Sequence, residues 1–288
     1  MPAGPVALIT GGTDGIGKAC ALRLAAQGTV LILVGRNEDK GQRALNDIRA
    51  AVAGANVTCL AYDLALMRSV SDLVDTVLTH YPDLNLVVQC AGAMRARRTM
   101  TAEGLEMVFA VQYLARFLLS QKLGPLLAGR GRMVSISAAG TMPLHLDYRN
   151  LNGERFYNGL YALIQESVAN DLFALRLWRE NPDLHFYNYG PFYIKTALFN
   201  DMPFWFRIMT GLAGPLVATT VDSAARDIVD LLTGDYPAGM YSRRLKPIRP
   251  SRYRANSVEQ DRLWAASERL VQDALAGPEP QPPPRSTP

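Results

Sequence analysis

An apolar strand that runs straight into a glycine-rich turn and then into a helix constrains this chain more than any other feature. Val6-Ala7-Leu8-Ile9-Thr10 is a short β-rich run, Gly11-Gly12-Thr13-Asp14-Gly15-Ile16-Gly17 follows it, and a helical stretch opens at once. Glycines let the backbone turn tightly and approach a bound group, while a helix N-terminus offers unpaired N–H groups and the positive end of a dipole. A glycine cluster alone is a weak signal. Here the strand before it and the helix after it supply the setting in which it reads as a phosphate cradle.

The rest of the chain repeats the alternation. Strands are expected at Val6–Thr10, Val30–Val34, Val57–Tyr62, Leu84–Gln89, Arg132–Ser137 and Leu184–Tyr189, with a short last one near Gly239–Ser242. Helical stretches fall at 16–27, 38–53, 66–80, 101–127, 159–179, 221–233 and 258–275. Strands alternating with long helices imply an α/β, doubly wound parallel sheet (a Rossmann fold) of about seven strands with helices on both faces. No repeat or linker divides the chain, so residues 1–276 are expected to form one domain, followed by a disordered proline-rich tail, 277–288.

Composition excludes several function classes. A net charge of +4 over 288 residues is too small to indicate nucleic acid, and Arg95-Ala96-Arg97-Arg98 and Arg243-Arg244 read as solvated loop charges. Three cysteines, Cys20, Cys59 and Cys90, are too few for a disulfide framework and suit buried thiols in a reducing cytosol. Three scattered histidines give no metal-ligand spacing. No signal peptide is visible, and Leu198–Val217 is too interrupted by charge, proline and glycine for a membrane span. A cytoplasmic protein without an integral membrane segment is expected.

The spacing TGxxxGxG resembles the fingerprint of the short-chain dehydrogenases/reductases, and further marks of that family occur in order. Gly104-Leu105-Glu106-Met107-Val108-Phe109-Ala110-Val111-Gln112 is similar to "GFEMQFGVN" of its retinol-dehydrogenase-like branch, and Asn150-Leu151-Asn152-Gly153-Glu154-Arg155-Phe156-Tyr157-Asn158 to "NLQGEKFYN". Arg262–Val271 resembles the branch's C-terminal helix, so the likeness covers roughly residues 5–275. It implies NADP(H) as cofactor, held by Gly11, Thr13, Gly15, Ile16 and Gly17 at the turn. Arg36 follows the second strand where an acidic residue would bind the ribose 2′-hydroxyl of NAD; an arginine suits a 2′-phosphate instead. Asp14 in the turn weighs mildly against this. Asp63 and Leu64 match the pair that contacts adenine, although Asp63 also suits a helix cap. Gln89-Cys90-Ala91-Gly92 matches an Asn-Asn-Ala-Gly stretch with both asparagines replaced, leaving Ala91 and Gly92.

At the chemical end the pattern breaks. The family uses an Asn–Ser–Tyr–Lys set, in which tyrosine is the acid/base, serine orients the substrate carbonyl, and lysine lowers the phenol's pKa from about 10. Ser137, in Val134-Ser135-Ile136-Ser137, matches the serine, and Gln112 replaces the asparagine and is counted with the cofactor-lining residues. For the other two there are two registers. Tyr161 and Gln165 have the Tyr-x-x-x spacing. The anchors Phe156-Tyr157-Asn158 and Val168-Ala169-Asn170-x-Leu172-Phe173, similar to "FYN" and "LANxLF", instead put Leu163 at the tyrosine position and Ser167 at the lysine position. The lysine is gone in both. Pro191, Ile194 and Thr196 keep the family spacing after the sixth strand, with Phe192 in place of a glycine, and are expected along the cofactor.

Ser137 and Tyr161 are the candidate catalytic residues, with His145 and Asp147 on the intervening loop as a further acid/base pair. Residues 197–217, rich in aromatics and methionine, fall where the family has its substrate lid and suit an apolar small molecule or, equally, packing on a partner. A homo-oligomer is the family expectation. Three readings stand: an NADP(H)-dependent oxidoreductase of an apolar carbonyl or alcohol with a non-standard catalytic centre; a non-redox enzyme (cyclase, isomerase or dehydratase in biosynthesis) on the same scaffold; and a silent binding protein. Fold alone does not choose among them.

Overall fold

β1 (Val6–Thr10) divides its side chains between two cores. Ala7 and Ile9 enter one and Leu8 the other, all fully buried. A strand covered on both faces keeps its period of two but is apolar at every position. β2 (Val30–Gly35) repeats this, with Leu31 and Leu33 on one side and Ile32 and Val34 on the other. The structure, a computed structural model, describes residues 4–140, 142, 144–191, 194 and 219–278.

The remaining strands are β3 (Val57–Ala61), β4 (Leu84–Gln89), β5 (Arg132–Ile136), β6 (His185–Gly190), β7 (Gly239–Ser242) and β8 (Lys246–Pro247). They form one sheet in the order β3-β2-β1-β4-β5-β6-β7-β8, parallel except for β8. α1 (Gly15–Ala25), α2 (Glu38–Ala51) and α6 (Val221–Thr233) cover one face through residues such as Leu24, Ile48 and Ile228. α3 (Met67–His80), α4 (Ala115–Leu127), α5 (Gly159–Glu180) and α7 (Ser257–Ala276) cover the other through Leu73, Phe117, Phe173 and Leu263. None of the described helices is long and apolar enough to cross a membrane.

Strand order reverses between β1 and β4, and in such sheets ligands bind in the crevice outside the carboxyl ends at that reversal. The ends of β1, β4, β5 and β6 therefore carry the candidate site.

The doubly wound sheet of about seven strands is as expected, with a two-residue eighth added where a turn over Arg243–Leu245 folds the chain back against β7; a two-residue strand is too short for any periodicity. One expectation is corrected. The helix expected from residue 101 begins only at Met107, because the Glu106 carboxylate accepts from the N–H groups of Val108 and Phe109 and caps it there. It then passes through a π-helical stretch, Ala110–Leu114, before α4. The expected lid at 197–217, Thr196, and the tail beyond Pro278 lie outside the described residues.

Candidate active site

The turn after β1 is held by close approach. Gly11, at φ 65°, lies so near β4's end that a Cβ there would stand 2.9 Å from the Ala91 Cα. A Cβ on Gly17 would overlap the Gly11 carbonyl oxygen. Thr10 ties the two strand ends together, its Oγ1 accepting from the N–H groups of Cys90 (3.1 Å) and Ala91 (3.3 Å). Gly15 is different. It takes φ 52°, yet a Cβ there would meet nothing within 4 Å. Open space over a positive-φ glycine at a helix N-terminus is a cradle that a side chain would fill and a phosphate can use. The Asp14 carboxylate accepts from Gly15 N–H at 2.7 Å and so already engages one donor of that terminus.

The other residues expected along a cofactor follow the ends of β2, β3, β4 and β6. Thr13 packs against Gly35, and Arg36 is exposed directly beyond it at the end of β2. Asp63 caps its own turn, its Oδ1 accepting from Ala65 N at 3.0 Å, with Leu64 buried beside it. Gly92 is exposed; Pro191 and Ile194 are buried beyond β6, the Pro191 carbonyl accepting from Thr219 Oγ1 at 2.6 Å. The turn and Arg36 fit a 2′-phosphorylated dinucleotide. The Gln112 side chain is turned inward, its Nε2 donating to Glu166 at 3.2 Å, while its backbone carbonyl accepts from Asn170 Nδ2 at 3.0 Å.

Ser137 follows β5, buried, with its N–H on the Tyr189 carbonyl and its hydroxyl donating to Asn188 Oδ1 at 2.8 Å. Behind it stands a polar chain that local sequence gave no reason to connect. Asn188 Nδ2 donates to Asp171 Oδ1 at 2.9 Å, and Arg254 Nε donates to Asp171 Oδ2 at 2.6 Å. Burial raises the Asp171 carboxyl to about 6, with Arg254 pulling it back.

α5 presents its two candidate pairs to different places. Ser167 Oγ donates to the Ala138 carbonyl at 3.0 Å, one residue from Ser137, and Leu163 lies one turn earlier on the same side. Two residues along a helix turn through about 200°. Tyr161 and Gln165 accordingly face the loop. Gln165 donates to the His145 carbonyl at 3.2 Å and accepts from Asp147 N at 2.6 Å, while the Tyr161 hydroxyl lies 3.4 Å from Asp147 Oδ2. Burial and Asp147 raise the Tyr161 pKa, the opposite of what a lysine neighbour would do. Tyr161 lines a small hollow with Asn150, Phe156 and Tyr157. His145 is stacked on Tyr253 at 4.0 Å between centroids.

Sequence reasoning missed a second buried acid. Glu166 accepts from Gln112 and, at 2.7 Å, from Asn170 Nδ2; burial raises it to about 8, with Arg116 the main influence lowering it. Arg116 is itself buried, donating to the Ala91 carbonyl at 3.0 Å. A carboxyl raised above its unfolded value adds stability that is full below the unfolded pKa and is lost as pH rises through the folded one. The melting temperature should therefore fall between pH 6 and 9, and Glu166→Gln should flatten that slope whatever its absolute stability. An unchanged slope in thermal melts would refute the assignment.

Residues 5–146 match the model of the short chain dehydrogenase family. DnrU of Streptomyces sp. (strain C5), which carries the name of a daunorubicin C-13 ketoreductase, is 33% identical over 276 residues, spanning 94% of this chain and 93% of its own. The chain belongs to the short-chain dehydrogenase/reductase family. Human retinol dehydrogenase 13 is 28% identical over 93% of this chain and 85% of its own, which places the chain in the retinol-dehydrogenase-like branch. A metagenomic short-chain oxidoreductase solved in complex with NADP superposes with a TM-score of 0.61 at 22% identity, covering 86% of this chain and 98% of that one. The family is one of oxidoreductases on this Rossmann scaffold, and this member carries neither tyrosine nor lysine on the Ser137 side of α5.

Proposed function

We propose that this protein is an NADP(H)-dependent oxidoreductase acting on an apolar carbonyl/alcohol pair through a non-standard catalytic centre. The observation that carries the reading is Ser137, its hydroxyl fixed by Asn188 at the end of β5, two strands along the sheet from the glycine cradle at the end of β1. The dinucleotide, when bound, supplies or accepts a hydride. The chain's own part is to seat its phosphates over Gly15 and the α1 N-terminus, to meet a 2′-phosphate with Arg36, and to hold the substrate oxygen at Ser137. The ammonium–phenol pair that usually meets developing oxyanion charge is missing, so turnover should be slow.

The test is NADPH binding by fluorescence followed by NADPH consumption with aldehydes, ketones and enones. Consumption abolished in Ser137→Ala supports the proposal; tight NADPH binding with no consumption by any of them refutes it. Arg36→Ala should weaken NADPH about 10- to 100-fold, the loss of one or two charge-assisted hydrogen bonds, and leave NADH unchanged. Titrating both cofactors checks it, and equal losses would remove Arg36 from the 2′-phosphate site.

The Tyr161–Asp147 contact beside the hollow favours a second reading, a non-redox reaction in which Tyr161 handles the proton. Conversion of substrate without NADPH consumption, lost in Tyr161→Phe, would establish it.

A further inference from the structure

Among the described residues the hydrogen on Ser137 has one place to go. Asp171 is fully buried and accepts from Arg254 Nε at 2.6 Å, Gly140 N at 3.0 Å and Asn188 Nδ2 at 2.9 Å. An ionised carboxylate can only accept, so the Asn188 NH2 group must be the end facing Asp171. That leaves the Asn188 carbonyl facing Ser137, 2.8 Å from its hydroxyl oxygen. Two oxygens at that separation need a hydrogen between them, and the amide oxygen has none to give. Ser137 therefore spends its single hydrogen on Asn188. Among the described residues nothing donates to the Ser137 oxygen, and both its lone pairs remain.

We propose that Asp171, acting through Asn188, holds the Ser137 hydroxyl hydrogen inward, so that Ser137 meets its ligand as a hydrogen-bond acceptor and selects a hydroxyl compound over the matching carbonyl compound. The recognition part rests on Ser137 facing the substrate, as in the function proposed above. A serine that orients a carbonyl must donate to it; this one is committed elsewhere. Arg254 is the anchor of the arrangement. Its Nε holds Asp171 ionised and its Nη2 donates to the Met142 carbonyl, so a residue before α7 sets the polarity of a group at the end of β5. Asn188 and Asp171 are positioning residues, reaching the ligand only through Ser137. A buried group built to pair with a donor discriminates strongly against a ligand that lacks one.

Neutron diffraction from perdeuterated crystals of the full chain at pH 8 reads the arrangement without any ligand. Deuterium between Ser137 and Asn188, with both Asn188 amide deuteriums on the nitrogen facing Asp171, is expected; Ser137 deuterium directed away from Asn188 would overturn the proposal. Calorimetry of cofactor-free protein with matched pairs, from 2-butanol and 2-butanone to 2-decanol and 2-decanone, reads the recognition. Alcohols should bind at least about ten-fold tighter than their ketones, and Ser137→Ala should abolish that gap. Asp171→Asn can donate to the Asn188 oxygen, letting that amide turn over and release the Ser137 hydrogen, so the preference should move toward ketones. If Asp171→Asn does not fold, the wild-type and Ser137→Ala comparison still decides. Equal affinity within each pair, tighter ketones, or no binding by either member of any pair would overturn the recognition. Alcohol preference in a protein that fails to bind NADPH would sink the redox reading and leave this one standing.

Discussion

Arg254→Met is expected to lower the melting temperature at pH 8 by roughly 6–15 °C. The ion pair it breaks is almost wholly removed from water, the two side chains being 4% and 0% exposed. Removing one partner of such a pair leaves an uncompensated buried charge, which costs about 3–5 kcal/mol, and a chain of this size shifts by a few degrees per kcal/mol. The pH dependence identifies the cause. Asp171 titrates at about 6 with Arg254 beside it, already raised by burial, and loss of the guanidinium pushes it higher. A carboxyl raised above its unfolded value gains relative stability as pH falls toward that unfolded value. The gap between wild type and Arg254→Met should therefore narrow from pH 8 to pH 5, as Asp171 becomes neutral and needs no partner. A gap constant across melts at pH 8, 6.5 and 5 would show that Arg254 acts through packing instead.

The ion pair also marks the boundary of what sequence reasoning reaches. The strand–glycine–helix unit was legible because a tight turn and a close approach are local demands that only glycine meets, and Ser137 was legible because it follows a strand in a recognisable run. Gly239–Ser242 and Val221–Thr233 emerged with the bounds expected. Asp171 and Glu166 were not singled out, since an acid on a helix is ordinarily read as part of a solvated face. Nothing local marked them. From Gln165 to Ala174 every residue of α5 is buried, yet Glu166, Ser167, Asn170 and Asp171 form a polar side opposite Val168, Ala169, Leu172 and Phe173, the pattern of a half-solvated helix. Once that side is buried, its acids must find cations elsewhere in the chain. What the sequence could not say is which ones, because Arg116 and Arg254 lie 50 and 83 residues away from Glu166 and Asp171. The choice between Tyr161/Gln165 and Leu163/Ser167 was hidden for a related reason. Both spacings suit one turn of helix, and only the packing direction, with Ser167 on Ala138 and Gln165 on the loop, separates their faces.

Two glycines of one turn should lose NADPH affinity for different reasons when each gains a methyl group. Gly17→Ala places a Cβ against backbone, the Gly11 carbonyl, which no side-chain rotation can relieve. α1 must move off the turn, so both folding stability and NADPH affinity should fall, the former by the 1–3 kcal/mol typical of overpacking. Gly15→Ala meets no atom within 4 Å. Its cost to the fold is the strain of a left-handed residue, about 1–2 kcal/mol. Its methyl occupies the open space over the N–H groups of the α1 terminus, where the pyrophosphate is proposed to sit. Losing two hydrogen bonds to a charged group costs about 3–6 kcal/mol, so NADPH should bind at least about 100-fold more weakly to a protein that still melts cooperatively. Fluorescence titration beside thermal melts separates the two cases. Near-native NADPH affinity in Gly15→Ala would mean that the space over Gly15 is not where the phosphates bind, and Asp14, whose carboxylate already accepts from that terminus, would then be its natural occupant.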